Sequence, residues 1–236
     1  MSDIDTKFNR KARNDDDGDE VVEGTRTSNL EIFRPLGHYI GQGVPVHLSF
    51  EECDQIHSYI LHNCDELIEF VERLKLELEK ECTRNIERRH KAEFSKWNYQ
   101  HVRNMHEKGD VDDDLYNLVC GPSRVVRRYT GYIVNGFRFH SKDRCENRKT
   151  QNCGIMVRGD DTSDKEYYGI LGDIFEMHYP EGNRVFVFKC NWYDVGCQGR
   201  GFKVDEFGYI SVNKMSSLKF DEVFVLESQV EHVFFC

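Results

Sequence analysis

The sequence predicts an α+β protein, with a helical N-terminal half followed by a small antiparallel β-barrel-like domain. Apolar residues recur at spacings of three and four before Cys120, and the period falls to two beyond it. An Asn135-Gly136 pair flanked by Tyr132-Ile133-Val134 and Phe137-Arg138-Phe139 announces a hairpin. Val185-Phe186-Val187-Phe188 is apolar on both faces, which marks a strand covered on both sides.

Residues 1–30 read as a disordered acidic arm. Large apolar side chains are almost absent there, and the run Asp15, Asp16, Asp17, Gly18, Asp19, Glu20 cannot bury enough surface to offset its ordering entropy. Residues 31–120 read as a helical linker region. Between Pro35 and Pro45, the glycines Gly37, Gly41 and Gly43 predict an extended or looped lead-in. Ser49-Phe50-Glu51-Glu52 is a capping box: the Ser49 hydroxyl is placed to accept from the third helical amide and Glu52 to return the bond. Ile56, Tyr59 and Ile60 continue that helix to near Asn63.

A longer helix follows, with Leu67, Val71, Leu74 and Leu78 in one apolar seam. The seam is shorter than a coiled coil requires, so it is expected to pack on the preceding helix, leaving a monomer or a weak dimer through residues 67–78. Phe94, Trp97 and Val102 extend the helical stretch, after a break, to about Met105. Asp112, Asp113 and Asp114 place negative charge at the positive end of a short helix through Leu118.

Residues 121–236 read as a β-rich domain. The Asn-Gly turn sets Val134 opposite Phe137 and Tyr132 opposite Phe139 on an inward face, with Ile133 and Arg138 on the other. Further strands are expected over Tyr167–Met177, Arg184–Trp192, Tyr209–Val212, Glu222–Leu226 and Val230–Phe235, with a turn at Pro180-Glu181-Gly182-Asn183.

Charge is distributed unevenly. The chain carries 32 Lys and Arg against 42 Asp and Glu, yet Arg124, Arg127, Arg128, Arg138, Lys142, Arg144, Arg148 and Lys149 crowd one segment opposed only by Asp143 and Glu146. The overall balance argues against a nonspecific nucleic-acid coat, and the local excess leaves one patch able to face phosphates. Arginines on an antiparallel sheet more often occupy its solvated face. The N-terminus has no apolar h-region, and no stretch approaches the roughly 18 apolar residues of a membrane span, so cytosol or nucleus is expected, with no membrane partner.

The nine cysteines are irregularly placed and form no C-x-x-C pair, which fits reduced thiols better than a disulfide framework. The tightest group of metal-ligating types is Cys53, His57, His62 and Cys64, whose spacing matches no zinc pattern, and neither metal nor cofactor is expected. Cys145 and Cys153, near His140 and the arginines, are the only candidates for a thiol nucleophile. No G-x-S-x-G, H-E-x-x-H, Walker A or G-x-G-x-x-G occurs, and Gly196–Gly201 imitates a phosphate loop without the Lys-Ser/Thr that should follow. No catalytic residue is assigned.

The phrase RRYTGYIVNGFRFHSKDRCENRKTQNCG, continuing into YYGILGDIFEMHYPEGNRVFVFKCNWYDV and closing with DEVFVLESQVEHVFFC, resembles the C-terminal domain of unknown function of plant CACTA (En/Spm-type) transposase-like proteins. The segments FRPLGHYIGQG, FEECDQIHSYILHNCDELIEF and DLYNLVCGPSR are similar to the transposase-associated region that precedes it. In such proteins cutting and joining belongs to an upstream RNase H-like domain with no counterpart here, so the resemblance implies a noncatalytic accessory fragment in the nucleus. Its expected partners are DNA, reached through the basic hairpin region, or chromatin and other transposase subunits; a decayed remnant without function is the third reading.

The strand order is also similar in outline to SH3/BAH-like (bromo-adjacent homology) readers, where aromatic side chains enclose a methylated lysine. Tyr168, Trp192 and Tyr193 are the corresponding aromatic-pocket candidates. Alternation sets Trp192 on the face of Phe186 and Phe188, where it belongs to the core, and Tyr193 on the opposite face.

Overall fold

The computed structural model describes residues 28–81, 84–146, 152–159, 166–195, 202–204, 210–213, 217–218 and 223–232. Of the acidic arm, all but Ser28–Leu30 lies outside them, as do Arg148, Lys149 and Gly196–Gly201. No described helix is long and apolar enough to cross a membrane.

The glycine-rich lead-in forms two short strands, β1 (His38–Tyr39) and β2 (Val44–His47). The first helix, α1 (Phe50–His62), starts where Ser49 Oγ accepts from the Glu52 N–H at 3.0 Å. Only half of the capping box forms, because the Glu52 carboxylate turns instead to Lys189 Nζ at 2.6 Å. A single 3-10 turn, Asp65–Leu67, leads into α2 (Ile68–Glu81), and the expected break precedes α3 (Ile86–Lys108), whose cap residue Asn85 sits in the left-handed region at φ 55°. In α4 (Asp113–Cys120) the Asp112 carboxylate accepts from the Leu115 N–H at 3.0 Å. Leu67, Leu74 and Leu78 are buried with Phe94 and Val102 in a core within the chain, and Val71 packs against it.

Beyond α4 the strands are β3 (Val125–Tyr129), β4 (Gly131–Val134) and β5 (Phe137–His140), then the short α5 (Lys142–Cys145) and β6 (Gly154–Arg158). The long β7 (Glu166–His178) and β8 (Arg184–Trp192) are joined by the expected turn, with Glu181 at φ 62° and Gly182 at φ 79°. The last strands are β9 (Phe202–Val204), β10 (Ile210–Val212), β11 (Phe224–Leu226) and β12 (Glu231–His232). The Asn-Gly hairpin has the anticipated register, with Val134 opposite Phe137, Tyr132 opposite Phe139 and Ile133 opposite Arg138, and positive φ of 52° and 77° at the turn. Tyr132, Val134 and Phe139 face inward, whereas Phe137, at the turn, is 46% exposed.

All described pairings are antiparallel. The large sheet runs β11-β8-β7-β3-β2; β6 also pairs β7 and carries β12, while β1-β4-β5 and β9-β10 are separate. The chain is therefore α+β with a helical N-terminal half, but the sheets do not close into the expected SH3/BAH-like barrel.

The reason lies in β8. Val185 and Val187 pack with Phe175, Met177 and Leu226 against the helices, whereas Phe186 and Phe188 pack with Ile174 against Tyr132, Val134 and Phe139 of the small sheet. Two covering layers bury both faces, so closure of the sheet on itself is not needed.

Gly37 allows the small sheet's closest backbone approach, since a Cβ there would lie 2.1 Å from the Ile133 carbonyl oxygen and 2.5 Å from Tyr132 Cε1. Gly37→Ala is expected to lower stability by about 1–3 kcal/mol through overpacking that pushes β1 off β4. Gly41→Ala, at φ 82° in open space, should cost less, about 1 kcal/mol, which urea unfolding of both variants would resolve.

Candidate functional site

The basic residues do not share one face. Val126 belongs to the helix-side core and Tyr129 to the small-sheet core, so alternation sends Arg127 and Arg128 to opposite sides of β3. Arg128 Nη1 lies 3.4 Å from Asp173 Oδ1, and the Arg124 carbonyl accepts from the Leu48 N–H at 3.0 Å just before α1. Arg138 is exposed on the outer face of the small sheet; on α5, Lys142 is exposed and Arg144 donates to Thr130 Oγ1 at 3.4 Å.

Trp192 is 6% exposed and shares its core with Phe186 and Phe188. Tyr168 and Tyr193 adjoin each other on the opposite face, the Tyr193 N–H donating to the Tyr168 carbonyl at 2.8 Å and the Tyr168 hydroxyl donating to the Glu166 carboxylate. These three aromatic rings are therefore not brought together.

What Trp192 joins instead is a cleft of about 260 Å³ lined also by Tyr59 of α1, Tyr167 of β7 and Phe224 of β11. Gly169 faces Trp192 across β7 and β8, and a Cβ there would come within 2.7 Å of the indole Cε3, so the missing side chain leaves room for the ring. At the polar end, the Tyr59 hydroxyl donates to Gln229 Oε1 at 2.7 Å, Gln229 Nε2 donates to Asn63 Oδ1 at 2.8 Å, and Asn63 Nδ2 donates to the Tyr59 carbonyl at 2.8 Å. Arg158 stands on the rim, ion-paired with Glu231 at 3.1 Å; with both side chains exposed, the pair contributes little. Nothing in local spacing connects positions 59, 167, 192 and 224, so sequence reasoning reached only Trp192.

The cysteine and histidine candidates are engaged separately. Burial holds His57 down to about 4, and its Nδ1 lies 3.1 Å from the Tyr179 hydroxyl. Burial, reinforced by Glu66, raises the Cys64 thiol, which donates to Glu66 Oε2 at 3.1 Å. His62 bonds the Ser58 carbonyl at 2.7 Å and approaches His90 at 3.4 Å. Among the described residues, no group of three or more His, Cys, Asp or Glu side chains is arranged to hold a metal ion. Cys145, Cys153 and His140 are all buried, an unfavourable setting for a thiol nucleophile.

One buried charge stands out on β7. Glu176 is 3% exposed, accepting from the Tyr129 hydroxyl at 2.7 Å and from Arg184 Nη1 at 3.1 Å, with His178 Nε2 at 3.6 Å. Burial alone would raise this carboxyl; the contacts from His178, Tyr129 and Arg184 outweigh it and hold the group down to about 2.

A family model described as a domain of unknown function, DUF4216, matches residues 175–236. No curated protein and no solved structure matches the chain. The matched stretch contains Trp192, Phe224 and Gln229 of the cleft, whereas Tyr59, Asn63 and Tyr167 precede it.

Because Glu176 is depressed, the unfolded chain binds its proton first as pH falls below the usual carboxylate range. Its stabilisation is fully present above about 4.5 and is lost as pH falls through about 2. Glu176→Gln is expected to be less stable at neutral pH and to lose less stability on acidification, as read by urea midpoints across a pH series. An unchanged pH slope would overturn that assignment.

Proposed function

We propose that this chain is a noncatalytic binding module of a transposon-derived nuclear protein, and that it reads a protein segment rather than duplex DNA. The observation that carries the choice of ligand is the cleft, where Tyr59, Tyr167, Trp192 and Phe224 arrive from four separate elements at one recess. A methylated lysine fits such a recess, because a quaternary ammonium is attracted to aromatic rings and loses little hydration on entering. A chain of net charge −10 adds a general attraction for basic segments. The transposon origin is supported by the resemblance of the C-terminal half to CACTA transposase-like proteins, within which the DUF4216 match falls.

Phosphate tracking by the basic residues has weaker support. A surface that follows a duplex backbone needs its cations on one side, whereas Arg127 and Arg128 diverge and Arg128 is paired with Asp173.

The full chain should bind a short peptide carrying one trimethyllysine more tightly than the unmodified peptide in isothermal titration. Tyr167→Ala, at a half-buried position, is expected to weaken that binding by about tenfold. Equal affinity for both peptides would remove the methylated-lysine reading. Salt-steep binding of labelled duplex DNA, reduced by changing Arg124, Arg127 and Arg128 to Ala, would restore the nucleic-acid reading instead.

A further inference from the structure

The aromatic cleft opens at the edge of a strand rather than over a face. Phe224 belongs to the helix-side core and Val225 to the small-sheet core, so they project from opposite faces of β11, yet both line the recess. Val157 and Arg158, from the end of β6, line it as well. The chain passes from β11 to β12 by the 3-10 turn Glu227–Gln229, whose last residue also reaches the cleft.

The alternation of hydrogen bonds determines what that edge offers. The Cys190 N–H donates to the Val223 carbonyl at 2.7 Å, so the N–H and C=O of Val225 turn to β8 and those of Phe224 and Leu226 turn away from it. Leu226 agrees with this parity, because its N–H is capped by Gln229 Oε1 at 2.9 Å. Phe224 has no such cap: its outward N–H and C=O meet no partner among the described residues. β6 repeats the pattern. The Leu171 N–H donates to the Cys153 carbonyl at 2.8 Å, which turns Met156 and Arg158 to the outer edge; β12 pairs Glu231 with Met156 and stops short of Arg158. Unpaired main-chain groups beside an aromatic recess are costly to leave unmet, and an extended chain supplies their complement.

We propose that the partner segment enters this cleft as an extended strand, pairing its backbone with Phe224 on the free edge of β11 and laying its methylated lysine in the aromatic recess. This mode of docking rests on the methylated-lysine reading of the cleft and adds how the segment is held. Main-chain bonds to the edge contribute affinity whatever the sequence of the segment, and the recess selects the side chain. A helix, about 10–12 Å across and with its amides satisfied internally, suits neither a recess of about 260 Å³ nor an unpaired edge.

In the ¹⁵N-labelled full chain, saturation with the trimethyllysine peptide is expected to slow hydrogen exchange of the Phe224 amide by about tenfold, while the Val225 and Leu226 amides, already bonded, change little. Methylating successive backbone nitrogens of the peptide should weaken binding by about tenfold at the one that faces Phe224 and by less at its two neighbours, whose N–H groups point away from β11. No binding of the peptide would remove the methylated-lysine reading and this mode with it. Binding that leaves Phe224 exchange unchanged, or that is indifferent to the position of the N-methyl group, would overturn the strand mode alone. Phe224 protection that rises with protein concentration in the absence of peptide would assign the edge to a second copy of this chain and overturn it as well.

Discussion

The apolarity of β8 on both faces is the constraint from which the rest of the structure follows. Fully burying a valine or phenylalanine stabilises by about 1.5–3 kcal/mol, so leaving either face of this strand in water would forfeit a large part of a typical domain's net stability. Val185 and Val187 require one cover, Phe186 and Phe188 another, and the chain supplies helices for the first and the β1-β4-β5 sheet for the second. Once both layers are in place, the edges β2 and β11 have no reason to meet. The layered arrangement and the absence of a barrel thus have one cause.

Polar groups inside this arrangement reinforce its register. Glu176 lies between Phe175 and Met177, which face the helices, so a slip of one residue would drive its carboxylate into the helical core and expose two large apolar side chains. On its own side it meets Tyr129 and Arg184, one from each neighbouring strand. A buried charge with these donors adds little to stability compared with a well-packed apolar residue, but it makes competing pairings expensive. The bulge between Leu171 and Asp173 then adjusts the alternation so that β7 can serve β6 along one half and β3 along the other.

What the sequence disclosed was what short range determines. The hairpin register follows from two residues that tolerate positive φ, and the α4 cap from one aspartate beside its amides. The capping box was legible only in part: Ser49 acts locally, but Glu52 has a competitor in Lys189, far away in the chain, that no local pattern reveals. β1, with two residues, is too short to show alternation, and its strand character comes from pairing with β4. The barrel expectation failed because two-sided apolarity specifies that a strand is covered without saying by what. The aromatic cleft was hidden for a related reason: Trp192 reads as core by alternation, which it is, and its cleft partners lie on other elements.

The aromatic cleft and a neighbouring recess of about 550 Å³ share a wall, since Asn63 and Gln229 line both. Asn63 is the residue that ends α1, and Gln229 ends the 3-10 turn that follows β11, so the divider joins the helical layer to the sheet through the Gln229–Asn63 bond of 2.8 Å and the Tyr59–Gln229 bond of 2.7 Å. Gln229 Oε1 also accepts from the Leu226 N–H at 2.9 Å, which fixes the turn to the strand that precedes it. Leu226 in turn pairs with Val187 on β8. The same three-residue turn contributes Glu227 to the wall of the larger recess and Gln229 to both, so one short element divides them.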